Sequence, residues 1–213
     1  FLHDPERVWA NNLMRISSAR LLQGCSRPWE KGEMHASEVL LSVLEEIGIS
    51  GMNLLPQINV EAADSDRYVL TVHPGSGSES KNWPEVKWVQ FLTQWLEDNS
   101  GRILVVGGEA ETGKLIGIKR VVDLSRVDFL ENESLSELAV VLKSSRIFVG
   151  HDSGISHMAA SLGVKSLILW GATNRVIWGP QHRNVHYIQS DKSMDSITVD
   201  EVLSLVEGGL SSD

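Results

Sequence analysis

The most regular feature of the chain is an alternation, from Arg67 onward, of short apolar runs with stretches in which apolar residues recur every three or four positions. The short runs predict buried strands, and the longer period predicts helices. The predicted strands are Tyr68–Val72, Arg102–Val106, Arg120–Leu124, Arg146–Gly150 and Lys165–Trp170, with a short sixth at Val185–Ile188. The predicted helices run from Pro84 to about Asp98, after Gly108 to about Ile118, from Ser134 to about Lys143, from Gly154 to Leu162 and from Thr198 to Val206. This alternation predicts an α/β fold with a doubly wound parallel sheet.

Two amphipathic helices precede the first strand and have no evident partner element in the chain. They are predicted from Pro5, with Asp4 as the N-cap, to about Gly24 and over residues 33–47, and a polar, proline-containing segment that suits a linker follows them. We therefore expect residues 1–65 to be the helical end of an N-terminal domain plus a linker. Residues 66–213 are expected to form a separate Rossmann-like domain. Because the chain begins at Phe1 rather than Met, an upstream portion is expected.

The composition limits the possible binding partners of the protein and the cellular compartment in which it occurs. The formal net charge of −9 argues against nucleic acid as a partner. Cys25 is the single cysteine, so no intramolecular disulfide can form, and a reducing compartment is expected. No apolar run approaches the ~20 residues that cross a bilayer. These features predict a cytoplasmic protein.

Two polar loops are predicted to meet at one edge of the sheet. HPGSGSESKNWP, at residues 73–84, follows the first strand, and GHDSGISH, at residues 150–157, follows the fourth. The usual order of a doubly wound sheet, 3-2-1-4-5, makes these two strands neighbours where the order reverses, and ligands bind there outside the carboxyl ends of the strands. Both loops have more polar chemistry than a connection requires, so we expect a ligand between them.

The residue types in these loops suit a phosphate or a diphosphate. Gly75 and Gly77 allow the backbone to approach a ligand closely. Ser76 and Ser78 can donate hydrogen bonds, and Lys81 adds a compact positive charge. The second loop lies at a predicted helix N-terminus, where free N–H groups and the helix dipole favour an anion.

Two other phosphate-binding patterns fit less well. Gly108-x4-Gly113-Lys114 follows a strand and imitates a P-loop, but Leu115 stands where a metal-binding Ser or Thr is needed, and Glu111 would repel phosphate. Gly75-Ser-Gly77 begins a dinucleotide fingerprint, but the loop is too long and lacks the third glycine. An NTPase and an NAD enzyme are therefore both disfavoured.

Metal and hydrolase chemistry are also disfavoured. Asp64 and Asp66 look like a metal-binding pair, but they precede the first strand, at the wrong end of the sheet, and suit a solvated linker. Asp152, Ser153 and His157 are the residue types of a catalytic triad, yet a nucleophile elbow reads G-x-S-x-G.

Each favoured residue also has an ordinary structural interpretation. Asp152 alone suits a helix N-cap, and His157 alone suits a half-buried imidazole. Lys81 could be a solvated loop lysine, and Glu111 an exposed helix residue. It is their convergence on one predicted edge that favours a site.

Taken together, these segments resemble glycosyltransferase family 9, the ADP-heptose:lipopolysaccharide heptosyltransferases. The matching segments are His73-Pro-Gly-Ser-Gly, Lys81-Asn-Trp-Pro84, Gly107-Gly-Glu-Ala-Glu111, Val149-Gly-His-Asp-Ser-Gly154 with His157, Ala159-Ala160, Trp170-Gly-Ala-Thr and Trp178-Gly-Pro180. The helix predicted at 33–47 resembles the segment that links the two domains of the family. His151 departs from the asparagine commonly found before the Asp-Ser-Gly.

The resemblance implies a two-domain GT-B fold, of which this chain would be the C-terminal, donor-binding half with the end of an incomplete N-terminal domain. The implied donor-binding residues are Ser76, Gly77, Lys81, Glu111, Asp152, Ser153, Gly154 and His157. Lys81 would hold the donor diphosphate with Ser76, Gly77 and the backbone N–H groups of Ser153 and Gly154. Glu111 would bond the ribose, and Asp152 and His157 would contact the sugar and the phosphates.

The implied reaction is an inverting transfer of heptose, or a related sugar, from an ADP-sugar to a lipopolysaccharide-core acceptor. Lys81 and the helix N-terminus would stabilise the leaving diphosphate, with no cofactor and no structural metal. In this family the general base belongs to the N-terminal domain, and these residues offer no candidate for it. That domain could also contact the inner membrane peripherally.

Three other functions remain open at this point. The first two are a GT-B enzyme that uses a UDP-sugar and a nucleotide-sugar epimerase. The third is a nucleotide-binding module without catalysis.

Overall fold

The computed structural model describes residues 4, 6–25, 27–62, 67–108, 115–122 and 125–209. Along the chain the helices and strands are α1 (Val8–Ile16), α2 (Ala36–Leu41), β1 (Tyr68–Val72), α3 (Glu85–Asp98), β2 (Ile103–Gly107), α4 (Leu115–Val121), β3 (Val127–Glu131), α5 (Leu135–Lys143), β4 (Ser145–His151), α6 (Gly154–Ser161), β5 (Lys165–Trp170), α7 (Arg175–Trp178), β6 (Val185–Gln189) and α8 (Val199–Glu207). Short 3-10 helices occur at Ser42–Ile47, Glu79–Lys81 and Met194–Ser196.

The described residues form two compact units. The first contains those up to Leu55 together with Asn174–Gly179, and the second contains those of Pro56–Thr173 and from Pro180 onward. The first of the two segments in this unit ends at Leu55, and the domain boundary at residue 65 stays a prediction. Helices α1, α2 and α7 belong to the first unit, and the sheet with its covering helices belongs to the second.

The prediction of a helix from Pro5 to about Gly24 is wrong in its C-terminal half, because α1 ends at Ile16. Ser17 follows in an extended conformation, and its hydroxyl accepts a hydrogen bond from the Ala19 N–H (3.0 Å). A serine that bonds to the nearby backbone in this way competes with the helical pattern. The second predicted helix is present as α2 and the 3-10 turn after it, and it ends at Gly48 in the left-handed conformation (φ 79°).

The described strands of the second unit form one six-stranded sheet in the order β3-β2-β1-β4-β5-β6, with every pair parallel. Leu70 in β1 lies opposite Ile103 in β2 and Ile147 in β4. The strand order therefore reverses between β1 and β4. This confirms the predicted doubly wound α/β sheet and its point of reversal.

Each face of the sheet packs against its own apolar layer. Ile103 and Val105 face the layer that contains α3 and α8, whereas Leu104 and Val106 face the layer that contains α5 and α6. This alternation follows from the two-residue period of a strand. The first layer contains three buried tryptophans, Trp83, Trp88 and Trp95.

The third strand lies further along the chain than predicted. Residues 120–124 were expected to form it, but α4 continues to Val121 and the strand is Val127–Glu131. Leu115 and Ile118 in α4 are buried at helical spacing. The observed β3 is an edge strand, and its Asp128 forms an ion pair with Arg102 (N···O 2.8 Å). Charged residues are common on edge strands. They interrupt β3, so it lacks the unbroken apolar run from which the other strands were predicted.

Capping boxes begin two of the covering helices, one of which was predicted from Ser134 and Glu137. At α8 the Thr198 hydroxyl accepts from the Glu201 N–H, and the Glu201 carboxylate accepts from the Thr198 N–H (2.8 Å). The bond from the Thr198 N–H, aided by the hydroxyl, holds the pKa of Glu201 below its ordinary value. The Ser134 hydroxyl, aided by its N–H, lowers the pKa of Glu137 in the same way.

Thr198→Ala is expected to lower the free energy of unfolding by about 1 kcal/mol in urea denaturation at neutral pH. Because the pKa of Glu201 is lower in the folded protein, its stabilisation is complete above the ordinary glutamate pKa of about 4.3 and is lost as the pH falls below it. The difference from wild type should therefore shrink in acid. The control is Ser204→Ala, at an exposed position within the same helix. A difference that stayed constant down to a pH of about 3 would contradict this account.

Candidate functional site

The loop after β1 continues the sheet for one further residue and then turns. The His73 N–H donates to the Val149 carbonyl of β4 (2.9 Å), and the loop ends where Pro84 caps α3. Ser76 is buried, and its hydroxyl lies 2.9 Å from the Ser78 carbonyl and 2.7 Å from the Asn82 side-chain oxygen. The Ser76 hydroxyl therefore stabilises the loop from within.

His151, the last residue of β4, joins this loop to the sheet. Its imidazole is fully buried, with Nε2 accepting from the Trp83 N–H (2.9 Å) and Nδ1 facing the Gly75 carbonyl (3.4 Å). A backbone N–H can only donate, so Nε2 carries no proton, and the proton on Nδ1 points to the carbonyl. The neutral ring also packs edge-on against Trp88, with 5.4 Å between the centroids. His151 thus fixes both ends of the segment between Gly75 and Trp83.

The loop after β4 leads directly into α6. The Ser153 hydroxyl caps the helix by accepting from the Ser156 N–H (3.4 Å), and its carbonyl accepts from the His157 N–H (3.3 Å). The first turn of the helix therefore has the Gly154 and Ile155 N–H groups to offer to an anion. The Ser153 hydroxyl also lies 3.4 Å from His73 Nδ1, so the two loops contact each other.

A cavity of about 300 Å³ lies at the carboxyl ends of β1, β2, β3 and β4. It is lined by His73, Ser76, Gly77, Val106, Gly107, Gly108, Leu130, Asn132, Glu133, Leu135, Leu138, Ser153, Gly154 and Ile155. A Cβ added at Gly77 or Gly154 would meet no atom within 4 Å, so both positions leave open space beside the backbone. The volume of the cavity is at the lower end of the range for small-molecule sites.

Lys81 and Asp152 form an ion pair, with 2.6 Å between Lys81 Nζ and Asp152 Oδ2. The Thr173 hydroxyl, in the loop after β5, donates to the same carboxylate oxygen (2.8 Å). The Lys81 side chain is 32% exposed and that of Asp152 is 12% exposed, so the lysine is the partner that can turn toward a ligand. An ammonium group has three donors, and the bond to Asp152 uses one of them.

The structure thus brings together most of the residues predicted from the sequence. Ser76, Gly77, Ser153 and Gly154 line the cavity, and Lys81 and Asp152 pair at the ends of the same two strands. His157 is half-buried within α6 and is not among the cavity-lining residues. Glu111 lies outside the described residues, as do Lys114, Asp64 and Asp66 from the disfavoured alternatives.

The sequence reasoning did not include two side chains that belong to this arrangement. His73 and Thr173 both lie inside quoted motifs, His73-Pro-Gly-Ser-Gly and Trp170-Gly-Ala-Thr. Their position in a loop that follows a parallel strand was the available signal, because the ends of such strands meet at the ligand-binding edge.

Two other features are absent from the described ranges. No helix there is both long and apolar enough to cross a membrane. In the same part of the chain, no three His, Cys, Asp or Glu side chains are grouped as metal ligands would be.

The sheet order, together with a cavity at the point of reversal, defines a Rossmann-like α/β domain. The family profile of glycosyltransferase family 9 (heptosyltransferase) matches residues 45–204. The chain therefore belongs to glycosyltransferase family 9, which confirms the family recognised from its motifs.

Individual relatives agree with this assignment. Lipopolysaccharide heptosyltransferase 1 of Pseudomonas aeruginosa is 32% identical over 138 residues, which are 62% of this chain and 37% of the relative. The glycosyl transferase family 9 structure from Veillonella parvula has a TM-score of 0.74 at 18% identity, over 87% of this chain and 62% of that one. Escherichia coli heptosyltransferase WaaC with ADP has a TM-score of 0.71 at 20% identity, over 86% and 59%. The chain thus spans under two thirds of the length of these relatives.

Proposed function

We propose that this chain is the donor-binding half of an inverting glycosyltransferase that transfers heptose, or a related sugar, from an ADP-sugar to a lipopolysaccharide-core acceptor. The observation that carries the proposal is the meeting of Lys81 and Asp152 with the α6 N-terminus beside a strand-end cavity. Family membership supports the reaction class. The names of the similar proteins, which include a lipopolysaccharide heptosyltransferase and a heptosyltransferase crystallised with ADP, support the donor and the acceptor.

In this proposal the donor diphosphate lies between the two loops. The N–H groups of Gly154 and Ile155 and the positive end of the α6 dipole face its oxygens. Lys81 reaches it with the donors that Asp152 does not use. The nucleoside extends into the cavity over the ends of β2 and β3, and Glu111 bonds the ribose, as the family resemblance implies.

The chemistry is a displacement at the anomeric carbon of the donor sugar. The bond from that carbon to the diphosphate oxygen breaks, the acceptor hydroxyl oxygen forms the new bond from the opposite face, and a general base takes the hydroxyl proton. Negative charge grows on the departing diphosphate as its bond breaks. In this proposal Lys81 and the α6 N–H groups face that charge, so they would stabilise the transition state more than the bound donor.

The acceptor, the general base and any contact with the inner membrane would belong to the N-terminal domain of the longer protein. The acceptor hydroxyl must be held within ~3–3.5 Å of the anomeric carbon. By resemblance to the family, a second domain performs that task. A cytoplasmic location with peripheral membrane contact follows from the same proposal.

Calorimetric titration of the chain with ADP, UDP and ADP-heptose tests the proposal. We expect ADP and ADP-heptose to bind with dissociation constants well below about 1 mM, and UDP to bind more weakly. Failure of all three to bind at about 1 mM would contradict the proposal. A clear preference for UDP would favour the UDP-sugar transferase or the epimerase. A non-catalytic module would bind ADP-heptose without ever accelerating its cleavage by water.

A further inference from the structure

The short loop after β5 reaches the ion pair of the candidate site. Trp170, the last residue of β5, is fully buried, and its indole Nε1–H donates to the Thr173 carbonyl (2.6 Å). Between them, Gly171 lies so close to Met194 that an added Cβ would come within 3.3 Å of the sulfur. The backbone that carries the Thr173 side chain is therefore anchored to the core.

Thr173 and Lys81, which lie in loops far apart in the sequence, donate to the same oxygen of Asp152. The distances to Oδ2 are 2.8 Å from the Thr173 hydroxyl and 2.6 Å from Lys81 Nζ. Among the described residues, no hydrogen bond to Asp152 Oδ1 is present. The carboxylate thus has one oxygen that is fixed by two donors and a second oxygen that remains for a ligand.

The two donors differ in how firmly they are held. Lys81 has a long side chain that is 32% exposed, and a diphosphate would compete with Asp152 for its ammonium group. Thr173 has a single side-chain torsion, which its branched Cβ restricts, on an anchored backbone. When Lys81 turns toward a diphosphate, the Thr173 hydroxyl is the donor that stays on Oδ2.

We propose that Thr173 is a positioning residue for donor binding: its hydroxyl holds the Asp152 carboxylate so that Oδ1 faces a hydroxyl of the donor sugar. This inference rests on the proposed function, because it needs a sugar next to Asp152. The inference assigns the two parts of the nucleotide-sugar to different residues. The diphosphate depends on Lys81 and the α6 N-terminus, and the sugar depends on Asp152 as Thr173 orients it.

The test compares Thr173→Val, which keeps the shape and removes the hydroxyl, with Thr173→Ser, which keeps the hydroxyl. Each variant is titrated with ADP, which has no sugar, and with ADP-heptose. Thr173→Val is expected to bind ADP within about twofold of wild type and ADP-heptose about tenfold more weakly, as loss of one hydrogen bond to a charged group predicts. Thr173→Ser should restore most of the ADP-heptose affinity. Thermal unfolding of each variant shows whether the fold is intact.

A double-mutant cycle with Asp152→Asn asks whether Thr173 acts through Asp152. In the Asp152→Asn background, Thr173→Val should weaken ADP-heptose binding by less than about twofold, because the oriented carboxylate is already gone. Three results would each overturn the role of Thr173 without affecting the proposed function. They are equal weakening of ADP and ADP-heptose binding, a Thr173→Ser variant that behaves like Thr173→Val, and additive effects in the cycle. Failure of the wild-type chain to bind either ligand would overturn the proposed function and this inference with it.

Discussion

Lys81→Ala is expected to weaken ADP binding by about ten- to a hundredfold, which corresponds to about 1.5–3 kcal/mol for a hydrogen bond to a charged group. Two effects act in the same direction. The diphosphate loses a cationic donor, and Asp152 loses the ammonium group that lies 2.6 Å from its Oδ2. An uncompensated carboxylate beside the site then repels the anionic ligand. Isothermal titration calorimetry with ADP measures the change.

Two control variants make this result specific. Lys81→Arg keeps the charge but changes its shape and reach, so it should retain more affinity than Lys81→Ala. Lys114→Ala removes the lysine that the P-loop interpretation requires, and it should leave ADP affinity unchanged. If Lys114→Ala abolished ADP binding and Lys81→Ala did not, the NTPase hypothesis would return and the present site assignment would be wrong.

The fold was predictable wherever the strand pattern was simple. The central strands are buried on both faces and so read as unbroken apolar runs, such as Ile147 to Val149 in β4. The alternation of strands with helices then restricts the topology, because parallel strands need a crossover and the sheet is doubly wound. That is why the sequence alone predicts that β1 and β4 are adjacent.

Prediction failed where tertiary contacts decide a boundary. The end of α4 depends on Leu115 and Ile118 packing against the apolar layer, and nothing local marks Arg120 as helical. The charged residues of β3 are acceptable only because β3 is an edge strand with an ion pair from Arg102. Edge position is a property of the whole sheet, so no window of the sequence contains it.

The candidate site was predictable in its residue types and less so in their partners. Glycine, serine and lysine in a strand-end loop indicate an anion, and the structure does place them at the predicted edge. Which side chain bonds to which depends on contacts between loops far apart in the chain. Asp152 and Thr173 are joined through such a contact, and Ser76 turned out to bond within its own loop.

Substitution of His151 is the second change for which we expect a large effect on stability and on ADP binding, because His151 fixes the loop that would bind the diphosphate. His151→Leu fills the buried position with an apolar side chain and removes the partners of the Trp83 N–H and of the Gly75 carbonyl. Each buried backbone group left without a partner costs about 1–3 kcal/mol. We therefore expect a loss of about 2–6 kcal/mol in the free energy of unfolding, measured by urea denaturation, together with weaker ADP binding because the loop is no longer held.

His151→Asn is the matched control, since an amide carries an acceptor and a donor on either side of one carbon, as the neutral imidazole does with Nε2 and Nδ1. Its Nδ2 can take the place of the imidazole Nδ1 and keep the bond to the Gly75 carbonyl. Its oxygen is shorter in reach than Nε2, so the bond to the Trp83 N–H and the edge-on contact with Trp88 are weakened. We expect it to cost about 1–2 kcal/mol, less than His151→Leu, and to retain ADP binding. The same argument explains how histidine can occupy a position where the family commonly has asparagine. A His151→Leu variant as stable as His151→Asn, and as good at binding ADP, would mean that packing alone holds the loop between Gly75 and Trp83.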